Sequence, residues 1–400
     1  MKILIISQYF WPENFKINDL AVGLKERGHQ VSVLTGIPNY PKGSFFGTYA
    51  FFKKNDEIWN GIPIYRSKIF PRGNGAIRLM INYLSFMFFC SIKVLFIKEK
   101  FDKILVYQPS PVTVGVPAII AGLKMKAPFY FWVQDLWPAS LSAAGGISNK
   151  TILSLFNTVT IYIYKKAQLI LVQSKGFVDY IEKQGDFKHK TIYYPNTAEA
   201  FYKPVAPEDA YLKKLPKGFN LIFAGNLGEA QGISTLIDAA RIVKDYGISV
   251  NWIFLGEGRQ KEAYLTEIKS KNLHENFYFL GSFSAETMPY FFACADALIV
   301  SLKKDIIFSL TIPSKIQSYL ASGKPILAAL DGEGAKVILE AKAGFVSPPG
   351  DAQMFAQNTI DFYNLATEQK NMMKTNAIDY FNIEFEREML LSRLEKIFAN

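Results

Sequence analysis

The sequence predicts an α/β fold with two doubly wound parallel-sheet domains that face each other across a cleft. Short apolar segments alternate with helical patterns over residues 2–194, and the alternation starts again at residue 220. Continuous apolar strands separated by helices are typical of parallel sheets that are covered on both faces. The 400 residues suffice for two domains with full cores. Ligands bind beyond the carboxyl ends of the strands in such sheets, so two facing sheets predict a cleft.

The first half contains predicted strands that are separated by helical patterns. The strands cover residues 2–7, 31–35, 62–69, 103–107, 129–133, 169–172 and 191–194. The helical patterns cover residues 17–27, 76–98, 112–124, 150–166 and 176–183. Residues 1–7 run directly into a strand pattern without a small-residue cleavage site, so we expect them to form the first strand rather than a signal peptide.

The second half repeats the alternation, and the chain between the halves is rich in proline. Strands are predicted at residues 220–224, 251–255, 277–280, 297–300, 325–329 and 344–346. Prolines at positions 204, 207 and 216 indicate an interdomain connection. We therefore predict a first domain over residues 1–200, a linker over 201–218 and a second domain over 219–382. Residues 383–400 have apolar side chains at helical spacing, and we predict a helix that packs back toward the first domain.

Composition restricts the class of partner. Lysine and arginine exceed aspartate and glutamate by 45 to 35, a net charge of +10, which favours nucleic acid, anionic lipid or a phosphorylated substrate. Nucleic acid is disfavoured because the basic residues are dispersed and no recognition module is visible. The two cysteines, Cys90 and Cys294, lie far apart in hydrophobic segments, which predicts a reducing compartment and no disulfide framework. The chain has no cysteine–histidine cluster for a metal, and no metal or cofactor is expected.

The segment 312–326 is the most informative single motif. Pro313 suits the first turn of a helix, Gly323 ends that helix and Pro325 prevents its continuation. The free N–H groups of Ser314 and Lys315, the helix dipole and the lysine charge all favour an anion at this place. An ordinary, well-capped helix is the alternative interpretation. With the rest of the chain, the motif predicts a site for a phosphorylated ligand.

Further polar and glycine-rich segments follow predicted strands. In the first domain these are 7–14, 35–43 and 132–138, and the last of them puts Asp135 at a carboxyl strand end. In the second domain, residues 223–232 and 255–258 are glycine-rich loops in which the backbone can approach a ligand closely. Each glycine pair alone is more often only a tight turn. Together, at ends that face one cleft, these loops predict a binding site.

These motifs resemble those of a known family. The chain is similar to retaining glycosyltransferases of family 4, which have the GT-B fold of two Rossmann-like domains. It most resembles the bacterial capsule and O-antigen transferases of L-fucosamine (2-acetamido-2,6-dideoxy-L-galactose). The resemblance spans nearly the whole chain and is carried by residues 2–11, 27–31, 38–43, 134–138, 225–232, 313–323 and 344–351.

The resemblance implies that the first domain binds the acceptor and the second binds a UDP-sugar. The implied donor-binding residues are Gly225, Asn226, Gly228, Gln231, Gly256, Glu257, Gly258, Ser282, Pro313, Ser314, Lys315 and Gln317. The implied acceptor-binding residues are Tyr9, Trp11, Glu13, Asn39, Tyr40 and Gln134. The acceptor is expected to be a polyprenyl-diphosphate-linked saccharide, and the reaction is expected to be independent of metal.

The chain departs from the family pattern at two places. A basic pair that many members present to the donor diphosphate is replaced by the neutral Asn226 and Gln231, which leaves Lys315 as the main positive contact. Two glutamates, eight residues apart in many members, correspond here to Leu310 and Ser318. The usual contacts to donor sugar and ribose are therefore in doubt, and Gln317 or Glu333 could substitute for them.

The candidate catalytic residues are Asp135 and Lys315. An inverting transfer needs a base at the acceptor hydroxyl, and Asp135 is the first candidate for that base, with Glu13 and Asp19 as the less favoured alternatives. In a retaining transfer the leaving diphosphate itself can accept the proton, and Lys315 would stabilise the charge that develops there. The resemblance favours retention. The alternative role of Asp135 is a helix N-cap or a buried hydrogen-bond acceptor.

Residues 79–97 form an apolar segment long enough to be a transmembrane candidate. Asn82 and Lys93 lie inside it, and the strand–helix alternation continues on both sides. We therefore expect residues 77–98 to lie in an anionic membrane surface, near a lipid-linked acceptor. Burial in the core, a dimer contact and a membrane span are the alternatives.

The sequence thus predicts a cytoplasmic enzyme, peripherally bound to the inner face of the cell membrane, that transfers an N-acetylated deoxysugar. Two other functions stay open. One is a UDP-sugar epimerase of the same fold, which would need carboxylate and histidine bases in the cleft. The other is a catalytically silent sugar-nucleotide-binding subunit, which the missing glutamates and basic pair permit.

Overall fold

The computed structural model describes residues 1–73, 75–143 and 149–399. The chain divides into two compact units, Met1–Pro195 with Glu388–Asn400, and Asn196–Arg387. The predicted linker 201–218 belongs to the second unit, because Tyr202 stacks on Phe292 and Tyr211 packs against Phe291. Residue 400 of the predicted C-terminal helix lies outside the described residues.

The described part of the first unit forms a sheet with helices on both faces. Its strands are β1 (Lys2–Ile6), β2 (Gln30–Gly36), β3 (Glu57–Trp59), β4 (Ile62–Ser67), β5 (Lys103–Gln108), β6 (Phe129–Val133), β7 (Leu169–Val172) and β8 (Thr191–Tyr193). Its helices are α1 (Lys16–Glu26), α2 (Ala76–Phe96), α3 (Gly115–Met125), α4 (Ala139–Ala143), α5 (Lys150–Lys166) and α6 (Gly176–Glu182). The strand order is β3-β4-β2-β1-β5-β6-β7-β8, and β3 alone of these described strands pairs antiparallel.

The strands and helices predicted in the first half are present, with small shifts at their ends. Two short elements escaped prediction, β3 and α4. Strand β3 is joined to β4 by a tight turn at Asn60 and Gly61, which both have positive φ angles, of 47° and 67°. An asparagine–glycine pair is a hairpin signal, so this strand could have been predicted from the sequence.

The described part of the second unit is a parallel sheet covered on both faces. Its strands are β9 (Phe219–Ala224), β10 (Val250–Leu255), β11 (Phe277–Gly281), β12 (Ala297–Ser301), β13 (Ile326–Ala329) and β14 (Gly344–Ser347), in the order β11-β10-β9-β12-β13-β14. Its helices are α7 (Asp209–Leu212), α8 (Ile233–Asp245), α9 (Lys261–Ser270), α10 (Met288–Ala293), α11 (Ile306–Leu310), α12 (Ser314–Ala321), α13 (Gly332–Glu340), α14 (Ala352–Asn364) and α15 (Thr367–Glu384). The strand order reverses between β9 and β12, and ligands bind at such a switch point in open α/β sheets.

The last helix, α16 (Arg387–Ala399), packs on the sheet of the first unit. The prediction of one helix from residue 383 was wrong at its start, because residues 383 and 384 end α15. Leu390, Leu391 and Leu394 are buried among the side chains of β1 and β2. Arg27 adds ion pairs to Glu388 at 2.8 Å and to Glu395 at 2.7 Å.

Removing the apolar contact of α16 should destabilise the first unit. The side chain of Leu394 is fully buried, so we expect Leu394→Ala to lower the free energy of unfolding of this unit by about 2–5 kcal/mol. The exposed Lys396 lies two residues further along the same helix, and Lys396→Ala should change stability by less than about 0.5 kcal/mol. Urea unfolding of both variants measures the difference. Equal stabilities would contradict the packing of α16 in this core.

Candidate functional site

In the second unit, the loops after β9 and β10 pack together through their glycine backbones. Gly256 has a φ angle of 154°, and a Cβ atom there would lie 1.9 Å from the carbonyl oxygen of Gly225. A Cβ atom on Gly258 would lie 2.4 Å from the backbone of Leu227. The Leu227 N–H in turn donates to the Glu257 carbonyl at 2.9 Å. Larger residues would therefore separate the two loops, and the glycines build one backbone surface at this edge of the sheet.

Lys315 lies beside this surface, in contact with β9 and its loop. Its Nζ atom lies 3.6 Å from the centroid of the Phe223 ring and donates to Gln231 Oε1 at 2.7 Å. A Cβ atom on Gly225 would meet the lysine Cε at 2.7 Å, so this glycine makes room for the lysine side chain. Burial lowers the pKa of Lys315 to about 7. The structure thus brings Lys315 next to Gly225 and Gln231. With this pKa, the Lys315 ammonium loses its proton readily near neutral pH.

The start of α12 differs in detail from the prediction. Pro313 precedes the helix and does not lie in its first turn, because its backbone is extended with φ −59° and ψ 131°. The helix begins at the exposed Ser314, and no side chain described in the structure caps it. The N–H groups of a first helical turn have no partner within the helix. The N-terminus of α12 and the Lys315 side chain therefore offer donors in the same place.

Gln317 does not substitute for a missing glutamate, which corrects that prediction. Its side chain is fully buried, and its amide nitrogen lies where it donates to the carbonyls of Pro313 at 3.1 Å and Ser314 at 3.2 Å. The amide is thus used within its own helix. Glu333, the other proposed substitute, is nearly buried in the first turn of α13 and accepts from Lys336 at 2.7 Å.

Three of the other predicted donor-binding residues are open to solvent. Asn226, Glu257 and Ser282 are exposed, and Glu257 forms an ion pair with Lys261 at 2.9 Å. The Gly228 carbonyl accepts from Tyr264 at 3.3 Å. These residues leave an accessible surface next to the half-buried Lys315.

In the first unit, Glu13 organises the loop after β2. Its carboxylate accepts from the backbone N–H groups of Asn39 at 2.8 Å, Tyr40 at 2.7 Å and Phe10 at 3.3 Å. Burial raises the pKa of Glu13 to about 7, although these bonds and the nearby Arg66 oppose the rise. The prediction that Glu13 contacts the acceptor is wrong for its carboxylate, because the carboxylate is buried and occupied by the backbone.

Asn39 is likewise a structural residue. Its side chain donates to the Ile37 carbonyl at 2.9 Å and accepts from the Arg72 N–H at 3.0 Å and from Asn82 at 3.3 Å. Because it is buried and fully bonded, the prediction that it binds the acceptor is also corrected. Tyr40 remains partly exposed, and the Arg72 guanidinium lies 5.2 Å from its ring centroid.

Four polar side chains, Tyr9, Tyr83, Ser110 and Asp135, lie near one another in the first unit. The Tyr83 hydroxyl on α2 lies near that of Tyr9 and donates to Ser110 Oγ at 3.4 Å. Ser110 Oγ also accepts from the Trp137 indole N–H at 3.3 Å and lies near the Asp135 carboxylate. Burial is the main cause that raises the pKa of Tyr9 and of Tyr83, so both phenols stay protonated.

Asp135 itself lies half-buried after β6. Its carboxylate accepts from the Ser140 hydroxyl on α4, and the Trp137 side chain and the Ser110 hydroxyl lie close to it. Burial raises the pKa of Asp135 to about 6, and these bonds limit the rise. A carboxylate with this pKa can gain or lose a proton near neutral pH, which suits an acid–base or orienting role.

Trp11 is not part of this cluster. Its ring stacks on Trp59 of β3 at 5.7 Å, and its carbonyl accepts from Arg66. It was predicted, with Tyr9, as an acceptor-binding residue of the segment after the first strand. Gln134 does lie next to Asp135, and its backbone N–H donates to the Gln108 carbonyl at 3.0 Å.

Several polar residues of this edge were not predicted as part of the site. Asn82 was noted only as a polar residue within the apolar segment 79–97, and Tyr83 and Ser110 were given no role. Gln108 is fully buried, and neither its amide nitrogen nor its amide oxygen has a partner in the described part of the chain. A polar residue at the end of each apolar strand, such as Gln8 after β1 and Gln108 in β5, was the available signal.

Among the residues that the structure describes, no three histidine, cysteine, aspartate or glutamate side chains form a possible metal site.

Comparison with known proteins identifies both units. Residues 15–197 match the model of the glycosyl transferase 4-like domain, and residues 218–364 match the model of the glycosyl transferases group 1. A protein named as the probable glycosyltransferase WbjE of Pseudomonas aeruginosa is 26% identical over 302 residues, 72% of this chain and 73% of that protein. A protein of Escherichia coli K12 named as a colanic acid biosynthesis glycosyl transferase, WcaI, is 23% identical over 342 residues, 81% of this chain and 82% of that protein.

A solved structure confirms the fold. The Anabaena protein Alr3699/HepE in complex with UDP covers 100% of both chains with a TM-score of 0.72 and 17% identity. At this identity the likeness concerns the fold, and the predicted class of two parallel-sheet α/β domains is confirmed.

Proposed function

The chain is a GT-B glycosyltransferase with a glycosyl transferase 4-like domain and a group 1 domain, and we propose that it transfers an N-acetylated 6-deoxysugar from a UDP-sugar. The proposed acceptor is a polyprenyl-diphosphate-linked saccharide of bacterial surface polysaccharide synthesis, and L-FucNAc is the first donor sugar to test. WcaI is named for colanic acid biosynthesis, which supports this substrate class.

The arrangement around Lys315 is the observation that carries the donor proposal. A half-buried ammonium, the start of α12 and the glycine backbone of the β9 loop converge at the switch point of the second sheet. A diphosphate combines two negative groups with several acceptor oxygens, and this set of donors fits it. UDP is bound in the HepE structure, which supports a uridine nucleotide as the ligand here.

The acceptor is proposed to bind the first unit beside the exposed Tyr40 and the half-buried Asp135. The predicted contact of Tyr9 with the acceptor is corrected, because Tyr9 is only 2% exposed and packs beneath the Tyr40 ring at 5.5 Å. The Asp135 carboxylate and the nearby Ser110 hydroxyl offer hydrogen-bonding groups to a sugar. We propose retention of configuration, in which the leaving diphosphate accepts the acceptor proton, Lys315 stabilises the developing charge and Asp135 orients the acceptor hydroxyl. The reaction proposed here needs no metal.

A lipid-linked acceptor implies a membrane, and we propose that the enzyme binds the cytoplasmic face of the cell membrane through α2. Among the described helices, α2 alone is long and apolar enough to cross a membrane. One of its faces, with Tyr83, Phe86 and Val94, is buried against the domain, and the opposite face is exposed. This amphipathic placement favours a helix that lies in the surface.

Calorimetry tests the donor proposal. We expect UDP to bind in the presence of EDTA, and UMP, ADP and GDP to bind at least about tenfold more weakly, because each loses a charge-assisted or base-specific contact. Turnover of UDP-L-FucNAc with a lipid-linked saccharide should follow. If no nucleoside diphosphate bound, the donor site would be wrong. If binding occurred without transfer of any UDP-sugar, a silent binding subunit would be the better interpretation.

A further inference from the structure

The loop that contains Phe51 and Phe52 lies beside α2 and adds aromatic side chains to its apolar surface. Phe51 stacks on Phe70 with ring centroids 5.2 Å apart and meets Phe89 of α2 edge-on at 5.7 Å. The next residue, Phe52, is 90% exposed, and Phe96 at the end of α2 is 75% exposed. We call Phe51, Phe52, Phe70, Phe88, Phe89 and Phe96 the aromatic patch. It joins the loop and α2 into one continuous apolar surface.

A cationic groove lies next to this patch. It has a volume of about 370 Å³ and is bounded by the loop 53–56, the end of β4 and the last turns of α2. Its cationic residues are Lys53, Lys54, Arg66, Lys68 and Lys93. One wall is apolar and is formed by Phe89, Ile92 and Phe96.

Only part of this positive charge is neutralised within the protein. Arg66 is paired with Glu57 at 2.6 Å and Lys93 with Asp56 at 2.8 Å. In the described chain, Lys53, Lys54 and Lys68 have no carboxylate within ion-pair distance, and the Nζ of Lys68 lies 5.3 Å from the Phe51 ring centroid. The groove therefore keeps an excess of three positive charges at its opening.

We propose that this groove binds the phosphate headgroup of an anionic membrane lipid, whose acyl chains lie along the apolar wall and the aromatic patch. The groove has cations at its opening and an apolar wall beside them. The cations match the phosphate of an anionic lipid, and the apolar wall matches its acyl chains. Phe52 and Phe96 flank it and enter the interfacial layer of the bilayer. The proposal rests on the proposed membrane association of α2 and adds a defined lipid site to it.

Vesicle binding tests this site. The double variant Lys54→Gln/Lys68→Gln removes two unpaired charges and leaves the Lys93–Asp56 pair intact. We expect it to bind phosphatidylglycerol vesicles about 30-fold more weakly than the unmodified protein, because each lysine near an anionic surface contributes about fivefold. Phe52→Ser should weaken binding about tenfold, because a largely exposed aromatic ring loses its place in the bilayer. Phosphatidylcholine vesicles should bind weakly in every case.

Two double variants are charge-matched controls. Lys213→Gln/Lys217→Gln removes two exposed lysines from the second unit and should leave vesicle binding unchanged. Lys98→Gln/Lys100→Gln removes two exposed lysines just beyond the end of α2, outside the groove, and should weaken binding less than the groove variant. If Lys98→Gln/Lys100→Gln lost as much vesicle binding as Lys54→Gln/Lys68→Gln, the attraction would be diffuse and electrostatic, and the lipid site would be overturned.

Two other results would also overturn it. Inorganic phosphate that binds the unmodified protein in calorimetry, together with undiminished vesicle binding in Lys54→Gln/Lys68→Gln, would assign the groove to a soluble anion. An unmodified protein that does not bind phosphatidylglycerol vesicles would reject both the groove site and the α2 surface. UDP binding measured by calorimetry would be unaffected, so failure of this inference is distinguishable from failure of the donor proposal.

Discussion

Lys315→Met is expected to reduce kcat/KM for sugar transfer about 10³-fold. The substitution keeps an unbranched side chain over Phe223 and removes the ammonium that lies 2.7 Å from Gln231 Oε1. Loss of one preorganised donor at a developing negative charge commonly reduces turnover by about 10²–10³-fold, and here the ammonium is the main cation of the proposed donor site. Steady-state kinetics with a UDP-sugar measures the effect, and UDP calorimetry separates binding from turnover.

The same residue should make UDP affinity depend on pH. In the free protein burial lowers the pKa of Lys315 to about 7, so the ammonium is charged below that pH and neutral above it. A bound diphosphate favours the charged form and raises the pKa. Above pH 7, binding must therefore take up a proton, and UDP affinity should fall by up to about tenfold per pH unit. Calorimetry in buffers of different ionisation enthalpy would show this proton uptake, which Lys315→Met should abolish.

Two variants serve as controls for Lys315. Lys303→Met removes a lysine of the same unit that is exposed and paired with Glu229, and it should retain nearly full activity. The double variant Gln231→Lys/Lys315→Gln exchanges the two side chains that meet in this contact. It places an ammonium near the original position, now carried by residue 231, and should recover part of the activity that Lys315→Met loses. If Lys303→Met and Lys315→Met lost equal activity, the assignment of Lys315 to the diphosphate would be refuted.

Asp135→Asn is expected to reduce kcat about 10²-fold while UDP affinity stays unchanged. The carboxylate lies near Ser110, which accepts from Tyr83 at 3.4 Å, and we place the acceptor hydroxyl beside it. The amide keeps the shape of the side chain and loses the negative charge that orients this hydroxyl and accepts from it. Kinetics with saturating donor measures the loss.

The pH profile distinguishes this role from a structural one. Burial raises the pKa of Asp135 to about 6, so the active carboxylate is lost as the pH falls below 6 and activity should decline there. Asp135→Asn should have no such acid limb. Ser140→Ala removes a hydrogen bond that holds this pKa down, so its acid limb should move to higher pH with the same maximal rate. An acid limb that persists in Asp135→Asn would show that another group titrates.

Much of the fold could be predicted because its signals are local. Continuous apolar segments such as residues 129–133 and 169–172 have strand length and no helical period, and the structure places strands at these positions. The C-terminal helix was predicted too early because Phe385 and Leu394 share one helical spacing, although a break at residues 385–386 separates α15 from α16. Apolar periodicity alone does not contain that break.

The candidate sites were predictable only in part. Lys315 and Asp135 could be selected from motifs, because a lysine at a helix start and an aspartate after a strand have chemical meaning at those positions. Glu13 and Asn39 were assigned to the acceptor because they are polar and follow strands. In the structure their polar atoms bond to the backbone of neighbouring loops, which spacing along the chain cannot show.

The sequence by itself determined the two parallel sheets, the order of their strands and helices along the chain, and which loops follow which strands. These properties depend on apolar period, glycine and proline, which act over a few residues. Only the tertiary structure decided the environment of Lys315, because Gln231 is 84 positions away from it and Phe223 lies on a different element. It likewise decided that Tyr83 and Ser110, which belong to separate segments of the chain, lie near Asp135. Burial and hydrogen bonding between distant segments set the pKa values of both residues, and these depend on packing that no local pattern records.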